Sequence, residues 1–166
     1  MAEVTKKKCR ECREGALVDA PGVYQYRSLP SVTLTGVRRR ICDHCGAEFV
    51  SIPAMGKLNQ LLAEMLVRKP APLTGDEIRF LRKHQGWTAK DLASVMGVTP
   101  ESVSRWENGA RQMASSADRL LRLLVAHAAG IRDYSAFDVF SSIDDTVLGP
   151  APLRLDSGGD GWTLAA

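Results

Sequence analysis

The sequence has no long apolar run: none of its 166 residues belongs to a stretch approaching the ~18 apolar residues that a membrane span needs. Aromatic residues make up only 6% of the chain, while hydrophobic residues reach 45%. This composition excludes a wholly disordered, collagen-like or coiled-coil chain. The basic N-terminus lacks the apolar core of a signal peptide, so we expect a cytoplasmic protein.

Histidine is also scarce, with three residues in the chain. The sequence pairs no nucleophile with a general base. His84 and His127 stand alone in helical patterns, where surface positions are the simpler interpretation. The sequence therefore predicts no catalytic residues and no enzyme.

The four cysteines form two pairs, Cys9-x2-Cys12 and Cys42-x2-Cys45. In a reducing cytoplasm disulfides are not expected, and two-residue spacing lets paired thiolates occupy adjacent corners of a tetrahedron. We therefore predict one structural Zn²⁺ per chain. Metal-free thiols or a redox pair are the alternatives, although no βαβ pattern flanks either pair. His44, inside the second pair, is interpreted as exposed because four thiolates already complete the site.

Composition divides the chain into three segments: a zinc-binding domain at 1–69, a helical domain at 70–130 and an acidic tail at 131–166. Residues 69–72, Lys-Pro-Ala-Pro, resemble a stiff linker. The last segment holds six aspartates against two arginines and is predicted to be flexible and solvated. Its alternative roles are to bind a basic partner or to compete with DNA for the protein's own basic face.

In the first segment, residues 23–26 and 31–37 are candidate antiparallel strands, and Pro53 is a candidate first residue of a helix reaching Arg68. The second segment predicts four helices with distinct start and stop signals. The signals are a capping box at Thr74, Thr88 as a helix start, Gly97 as a stop, Thr99-Pro100 as a start, Ser115 or Ser116 as a cap and Gly130 as a stop.

Two short helices separated by Gly97-Val98 have the length of a helix-turn-helix unit. At ~100° per residue, Val103 and Trp106 share the buried side of the second helix, while Glu101 and Arg105 point away from it. A simple surface ion pair between Glu101 and Arg105 is the alternative to DNA contact.

Residues 87–109, from Trp-Thr-Ala-Lys-Asp-Leu-Ala through Gly-Val-Thr-Pro to Glu-Asn-Gly, resemble the XRE (lambda-repressor-like) helix-turn-helix. Joined to the four cysteines, the chain to Gly130 resembles the YgiT-type, MqsA-like antitoxins. The resemblance implies an α+β fold and a bacterial antitoxin that binds its toxin through the zinc domain and represses its own operon as a homodimer. A stand-alone zinc-containing regulator is the alternative. Arg13 and Ala89 depart from the family pattern, which has glycine and a polar residue there.

The resemblance also implies residue roles. Glu101 and Arg105 match base-reading positions, whereas Asn108 and Arg111 match a loop that contacts phosphate. Glu107 is expected to form a structural salt bridge with Arg82. The full DNA-binding set predicted here is Thr99, Glu101, Ser102, Ser104, Arg105, Asn108 and Arg111.

The last predicted helix of the second segment has apolar residues around more of its circumference than one packing face requires. Leu120, Leu121, Leu123 and Leu124 carry this pattern. A homodimer contact through the helix is the prediction, and burial within its own domain is the alternative.

Overall fold

The computed structural model describes residues 7–147, 149–158 and 161–165. Within these residues the elements are β1 Leu17–Ala20, β2 Tyr24–Gln25, β3 Val32–Thr35, β4 Arg38–Cys42, β5 Glu48–Ser51, α1 Met55–Val67, α2 Gly75–His84, α3 Ala89–Met96, α4 Pro100–Glu107, α5 Ser115–Ala128, α6 Ala136–Ser142, β6 Leu153–Gly158 and β7 Gly161–Leu164. The chain forms two compact units. Of the described residues, the strand unit combines those up to Tyr26, residues 32–55 and those from Pro152 onward, and the helical unit holds residues 27–31 and those between Gly56 and Ala151.

The strand unit contains two sheets. One has the order β1-β4-β5 with antiparallel neighbours, and the other has the order β2-β3-β6-β7. In the second sheet β3 and β6 run parallel, with Val32 opposite Leu153 and Leu34 opposite Leu155. Val32, Leu34 and Leu155 are all fully buried, so this parallel pair forms the core of the unit.

The C-terminal segment differs from the flexible tail predicted at 131–166. Its described part forms α6, β6 and β7. Leu155 is fully buried, and the indole of Trp162 donates a 2.9 Å hydrogen bond to the carbonyl oxygen of Pro53. Two of the aspartates that gave the segment a solvated composition are paired with arginines, Asp133 with Arg68 and Asp145 with Arg119. Composition failed here because a few apolar residues at alternate positions suffice to form a strand.

The boundary predicted at residue 69 also differs from the structure. The helical unit includes α1 from Gly56 onward, and α1 begins two residues after Pro53. The predicted linker is buried except at Pro70: Lys69 and Ala71 are each 6% exposed. The fully buried guanidinium of Arg122 on α5 donates 2.6 Å hydrogen bonds to the carbonyl oxygens of Lys69 and Ala71. The end of α1 and the following residues are thus part of the helical core.

Buried charges in this region are paired. Arg122 Nε lies 2.5 Å from Asp118 Oδ1, and Lys69 Nζ lies 2.8 Å from Glu77 Oε2. The second carboxylate oxygen of Asp118 accepts a hydrogen bond from the backbone N–H of Leu73 at 2.7 Å. Each charge therefore has the partners that burial requires.

Three helix starts agree with the local sequence signals. Thr74 and Thr88 form capping boxes with Glu77 and Asp91, and Thr99 caps α4 through the backbone N–H of Ser102. The predicted cap at Ser115 or Ser116 is wrong, because α5 begins after Ala114 with no side-chain capping bond. No helix of the described residues has the length and apolarity to cross a membrane.

Candidate metal centre and nucleic-acid interface

The four cysteines converge at one point of the strand unit. All four Sγ atoms lie within 4.8 Å of one another. The distance between the Sγ atoms is 3.7 Å both for Cys9 with Cys45 and for Cys12 with Cys42. A tetrahedral ion with metal–sulfur bonds of about 2.3 Å would separate its sulfurs by about 3.8 Å. The cluster is therefore a metal-binding group with nearly the spacing of a tetrahedral thiolate site.

Two similar turns bring the thiolates together. In the first, the N–H of Arg13 donates to the carbonyl oxygen of Cys9 at 3.2 Å, and in the second the N–H of Gly46 donates to that of Cys42 at 3.1 Å. Arg13 and Gly46 have φ values of +62° and +70°. Both turns thus end in a left-handed residue, for which glycine is the unstrained choice.

Gly15 allows the two turns to approach each other. A Cβ atom at this position would lie 2.5 Å from Cys42 Sγ and 2.6 Å from the Cβ of His44. Its N–H donates to Cys12 Sγ at 3.4 Å. Sequence analysis did not single out Gly15, because its role depends on the second cysteine pair, distant in sequence.

The thiols titrate unequally in this arrangement. Backbone N–H groups of Gly15 and Glu14 lower the pKa of Cys12 to about 6. The N–H of Ala47 lowers the pKa of Cys45, but burial and the three neighbouring cysteines outweigh it and raise that pKa to about 12. Four thiolates this close repel one another, so the fully ionised set needs a cation.

His44 lies apart from the sulfur cluster. Its side chain is 58% exposed, and its Nε2 lies 3.3 Å from Glu14 Oε2. Among the described residues the metal-binding group consists of the four cysteines alone. The arrangement resembles a closed structural site, because four protein ligands fill a tetrahedron and leave no open position for a substrate.

The helix-turn-helix places one face of α4 in the core and the other in solvent. Val103 is fully buried and Trp106 is 6% exposed, whereas Glu101, Ser104 and Arg105 are exposed. Arg111 is exposed in the loop after α4, and Ser102 is half-buried. The structure thus places most of the predicted DNA-binding set on one accessible helix and its flanks.

Glu101 and Arg105 are not an ion pair in the described part of the chain, although they interact at longer range. The pKa of Glu101 is lowered by its own backbone N–H, by Thr99 and by the charge of Arg105. Glu101 is therefore ionised at neutral pH, and the Arg105 guanidinium keeps its donors available.

Asn108 differs from the other predicted contacts because its side chain has partners within the protein. Its Oδ1 accepts a 2.8 Å hydrogen bond from Arg79 Nη2, and its Nδ2 donates to Ser104 Oγ at 3.3 Å. The same Arg79 nitrogen donates to the carbonyl oxygen of Glu107 at 2.8 Å. Asn108 and Arg79 together close the C-terminal end of α4, a role that sequence analysis missed for Arg79.

Glu107 and Arg82 form an ion pair between α4 and α2. Arg82 Nε lies 2.5 Å from Glu107 Oε1, and Arg82 Nη2 donates to Oε2 at 2.9 Å. Hydrogen bonding to Glu107 raises the pKa of Arg82. The remaining nitrogen of Arg82 donates to the carbonyl oxygen of Trp87 at 2.8 Å. This single guanidinium fixes α4 and the segment before α3 to α2.

A helix-turn-helix with an accessible second helix, in a chain that also holds a four-cysteine metal-binding group, is the arrangement of a DNA-binding regulator. Residues 78–127 match the protein family described as helix-turn-helix. The chain is 29% identical over 128 residues to Antitoxin MqsA of Escherichia coli (strain K12), an alignment covering 72% of this chain and 93% of that protein. These similarities confirm the resemblance predicted from the residues, and the strands and helices of the structure confirm the α+β class.

Proposed function

We propose that this protein is a sequence-specific transcriptional repressor and the antitoxin of a type II toxin-antitoxin pair, acting in the cytoplasm and catalysing no reaction. The observation that carries the DNA-binding role is the exposed face of α4, where Glu101 and Arg105 lie opposite the buried Val103 and Trp106. The antitoxin role rests on the similarity to Antitoxin MqsA. Autoregulation of the operon is proposed on the resemblance to the MqsA-like antitoxins.

Each exposed residue has a DNA contact suited to its chemistry. Arg105 has the length and the paired donors for a bidentate contact with a guanine edge, and Glu101 can accept from cytosine N4. Thr99, Ser102 and Ser104 are short donors at the start of α4, suited to the backbone and nearby base edges, and Arg111 is placed for phosphate. Asn108 supports the end of α4 through Arg79 and Ser104, so its contribution to phosphate binding is secondary.

The metal is proposed to be one Zn²⁺ per chain. A tetrahedral all-thiolate donor set suits zinc, which has no redox chemistry and favours this geometry. Bound there, the ion would supply charge balance and a cross-link between the two turns. Backbone groups orient the thiolates. The N–H of Gly15 donates to Cys12 Sγ at 3.4 Å, and the N–H of Cys45 donates to Cys42 Sγ at 3.5 Å.

The repressor is proposed to act as a homodimer through α5. Leu121 and Val125 are fully buried within the helical unit, whereas Leu120 and Leu123 on the same helix are 40% and 42% exposed. A two-fold dimer would present two recognition helices one DNA turn, ~34 Å, apart. Sedimentation should give a dimer, and Leu123→Lys should shift it toward monomer.

Two substitutions separate base reading from phosphate contact. Arg105→Ala should weaken binding to the operator by about 1–3 kcal/mol and flatten discrimination at one base pair per half-site. Arg111→Ala should weaken binding to every sequence alike and lower the salt slope by about one. Both proteins are titrated against the operator, a single-base variant and random DNA at two salt concentrations. Equal losses on all three DNAs for Arg105→Ala would reduce that residue to a phosphate contact.

The antitoxin role is tested separately, by co-expressing the full chain with the small protein encoded beside its gene. Co-purification and relief of that protein's toxicity are expected. If no neighbouring protein binds while operator binding is retained, the chain is a stand-alone zinc-containing regulator.

A further inference from the structure

A groove with a volume of about 440 Å³ lies on the sheet formed by β1, β4 and β5. We call it the basic groove, because Lys7, Lys8, Arg10, Arg38 and Arg40 line it together with Ser51. Its remaining lining is apolar: Leu17, Phe49 and Val50, all half-buried. None of the described residues that line the groove is acidic.

Strand register explains how cations and apolar groups come together. Arg40 lies opposite Phe49 on β5, and Arg38 lies opposite Ser51. Because alternate residues of a strand share a face, Arg38 and Arg40 project on the same side of the sheet as Phe49. The N-terminal segment adds the other wall, since Lys8 bridges to Ala16 and the N–H of Leu17 bonds to the carbonyl oxygen of Lys7.

Most of the positive charge in the groove is uncompensated. Arg40 has a carboxylate nearby, with its Nε 3.4 Å from Asp19 Oδ1, but that aspartate is 86% exposed. For residues 7–147, 149–158 and 161–165, no ion pair involves Lys7, Lys8, Arg10 or Arg38. The adjacent Arg39 contrasts with them because it is paired with Glu48. Four cations without an ion pair among the described residues therefore line the groove together.

We propose that the basic groove binds an acidic protein segment whose aliphatic side chain inserts between Leu17 and Phe49, which share the face of Arg38 and Arg40, while its carboxylates pair with the surrounding lysines and arginines. The partner's identity rests on the proposed function: the acidic segment would belong to the toxin. Unpaired cations around an apolar floor are complementary to carboxylates flanking an apolar anchor. A nucleic acid fits the groove less well. Its phosphates would pair with the cations but leave the apolar floor without a contact. Phe49 alone does not provide the row of aromatic rings on which successive bases stack.

The groove is also tied to the metal centre through the chain. Arg10 lies between Cys9 and Cys12, and β4 ends at Cys42, so the thiolate cluster holds the ends of both cationic walls. A metal bound there would fix the width of the groove. Loss of the metal is accordingly expected to weaken binding of an acidic segment even though no cysteine lines the groove.

The probe is a fluorescein-labelled peptide with one central leucine flanked by three acidic residues on each side, titrated against the full-length protein by fluorescence anisotropy. The double variant Lys8→Glu, Arg38→Glu should bind it at least about tenfold more weakly, because rim charges of opposite sign drive encounter and affinity. A matched double variant, Arg27→Glu, Arg132→Glu, changes net charge equally at exposed residues of the helical unit and should stay within about twofold of the original protein. Circular dichroism and metal content confirm that each variant is folded.

Two further probes decide the chemistry. Replacing the peptide's leucine with alanine should weaken binding about tenfold, because the apolar floor loses its contact. Single-stranded DNA of equal charge should bind more weakly than the leucine peptide. The proposal is overturned if the alanine peptide binds equally well, if the DNA binds more tightly, or if the Lys8→Glu, Arg38→Glu variant retains affinity.

The toxin experiment separates this inference from the proposed function. With the neighbouring protein, the Lys8→Glu, Arg38→Glu variant should lose co-purification while the matched variant retains it. If both variants co-purify equally, the antitoxin function stands and the groove is not its docking site. If no toxin binds any form, the peptide results still decide whether the groove recognises acidic segments.

Discussion

Arg13 occupies a backbone position in which an arginine is strained. It ends the first cysteine turn at φ +62°, while Gly46 ends the second turn at φ +70°. A residue with a Cβ atom in the left-handed region costs about 1 kcal/mol. The equivalent turns therefore differ in strain although they hold the same kind of ligand.

Arg13→Gly should raise the free energy of unfolding of the strand unit by about 1 kcal/mol, because it relieves this strain. The measurement is urea unfolding of the metal-loaded protein. Gly46→Ala is the matched control and should lower stability by a similar amount through the backbone alone, since a Cβ at Gly46 meets nothing within 4 Å. A lower unfolding midpoint for Arg13→Gly would show that the arginine side chain stabilises the turn.

At the scale of elements, α2 and α4 are joined by the ion pair of Arg82 with Glu107. Glu107 is 9% exposed, and the Arg82 side chain is 11% exposed. Glu107→Gln should destabilise the helical unit by about 2–4 kcal/mol, because a mostly buried guanidinium loses its charged partner. Chemical denaturation followed by far-ultraviolet circular dichroism measures the loss.

The control for this prediction is Asp76→Asn on α2. Asp76 pairs with Arg79 at 3.1 Å but is half exposed, and Arg79 keeps its bonds to Glu107 and Asn108. Its substitution should change stability by less than about 1 kcal/mol. Equal effects of the two substitutions would contradict a structural role for the Glu107 ion pair.

The β6–β7 hairpin is the element that departs furthest from its predicted character. Leu155→Ala should destabilise the strand unit by about 2–4 kcal/mol, because Leu155 is fully buried against the parallel strand β3. Leu164→Ala, at a residue 60% exposed, should be nearly neutral. Removing residues 152–166 should lower the unfolding midpoint at least as much as Leu155→Ala. An unchanged midpoint after this truncation would mean that the hairpin adds nothing to the stability of the unit.

At the scale of the molecule, the metal-binding group belongs to one unit only. Cys42→Ser should abolish stoichiometric metal binding and unfold the strand unit, including β6 and β7, while α1 to α5 stay helical. Metal analysis and circular dichroism test the two halves of this prediction. His44→Ala is the control and should keep one metal per chain. A Cys42→Ser protein with full metal content and stability would refute the four-thiolate site.

Local patterns in the sequence determined much of this protein. The paired cysteine spacing indicated a single four-sulfur cluster, and the threonine capping signals placed three helices because capping depends on residues only three positions apart. The helical period likewise distinguished the buried Val103 and Trp106 from the exposed Arg105. The caps and the buried face depend on neighbours along the chain, and the cluster was indicated by the metal-ligand spacing within each cysteine pair, so sequence alone was sufficient to predict them.

Only the tertiary structure decided which distant segments meet. The Thr35 side chain donates hydrogen bonds to residues of β6 that lie about 120 positions away. Strands β3 and β6 pair in parallel, so part of the predicted acidic tail belongs to a sheet. Arg122 donates hydrogen bonds to carbonyl oxygens just after α1, more than 50 residues away in sequence. Helix α1 therefore belongs to the helical unit and not to the predicted zinc domain. The basic groove likewise exists only once β4 lies beside β5. Such contacts depend on packing between remote residues, whereas composition and periodicity describe a residue's immediate neighbours.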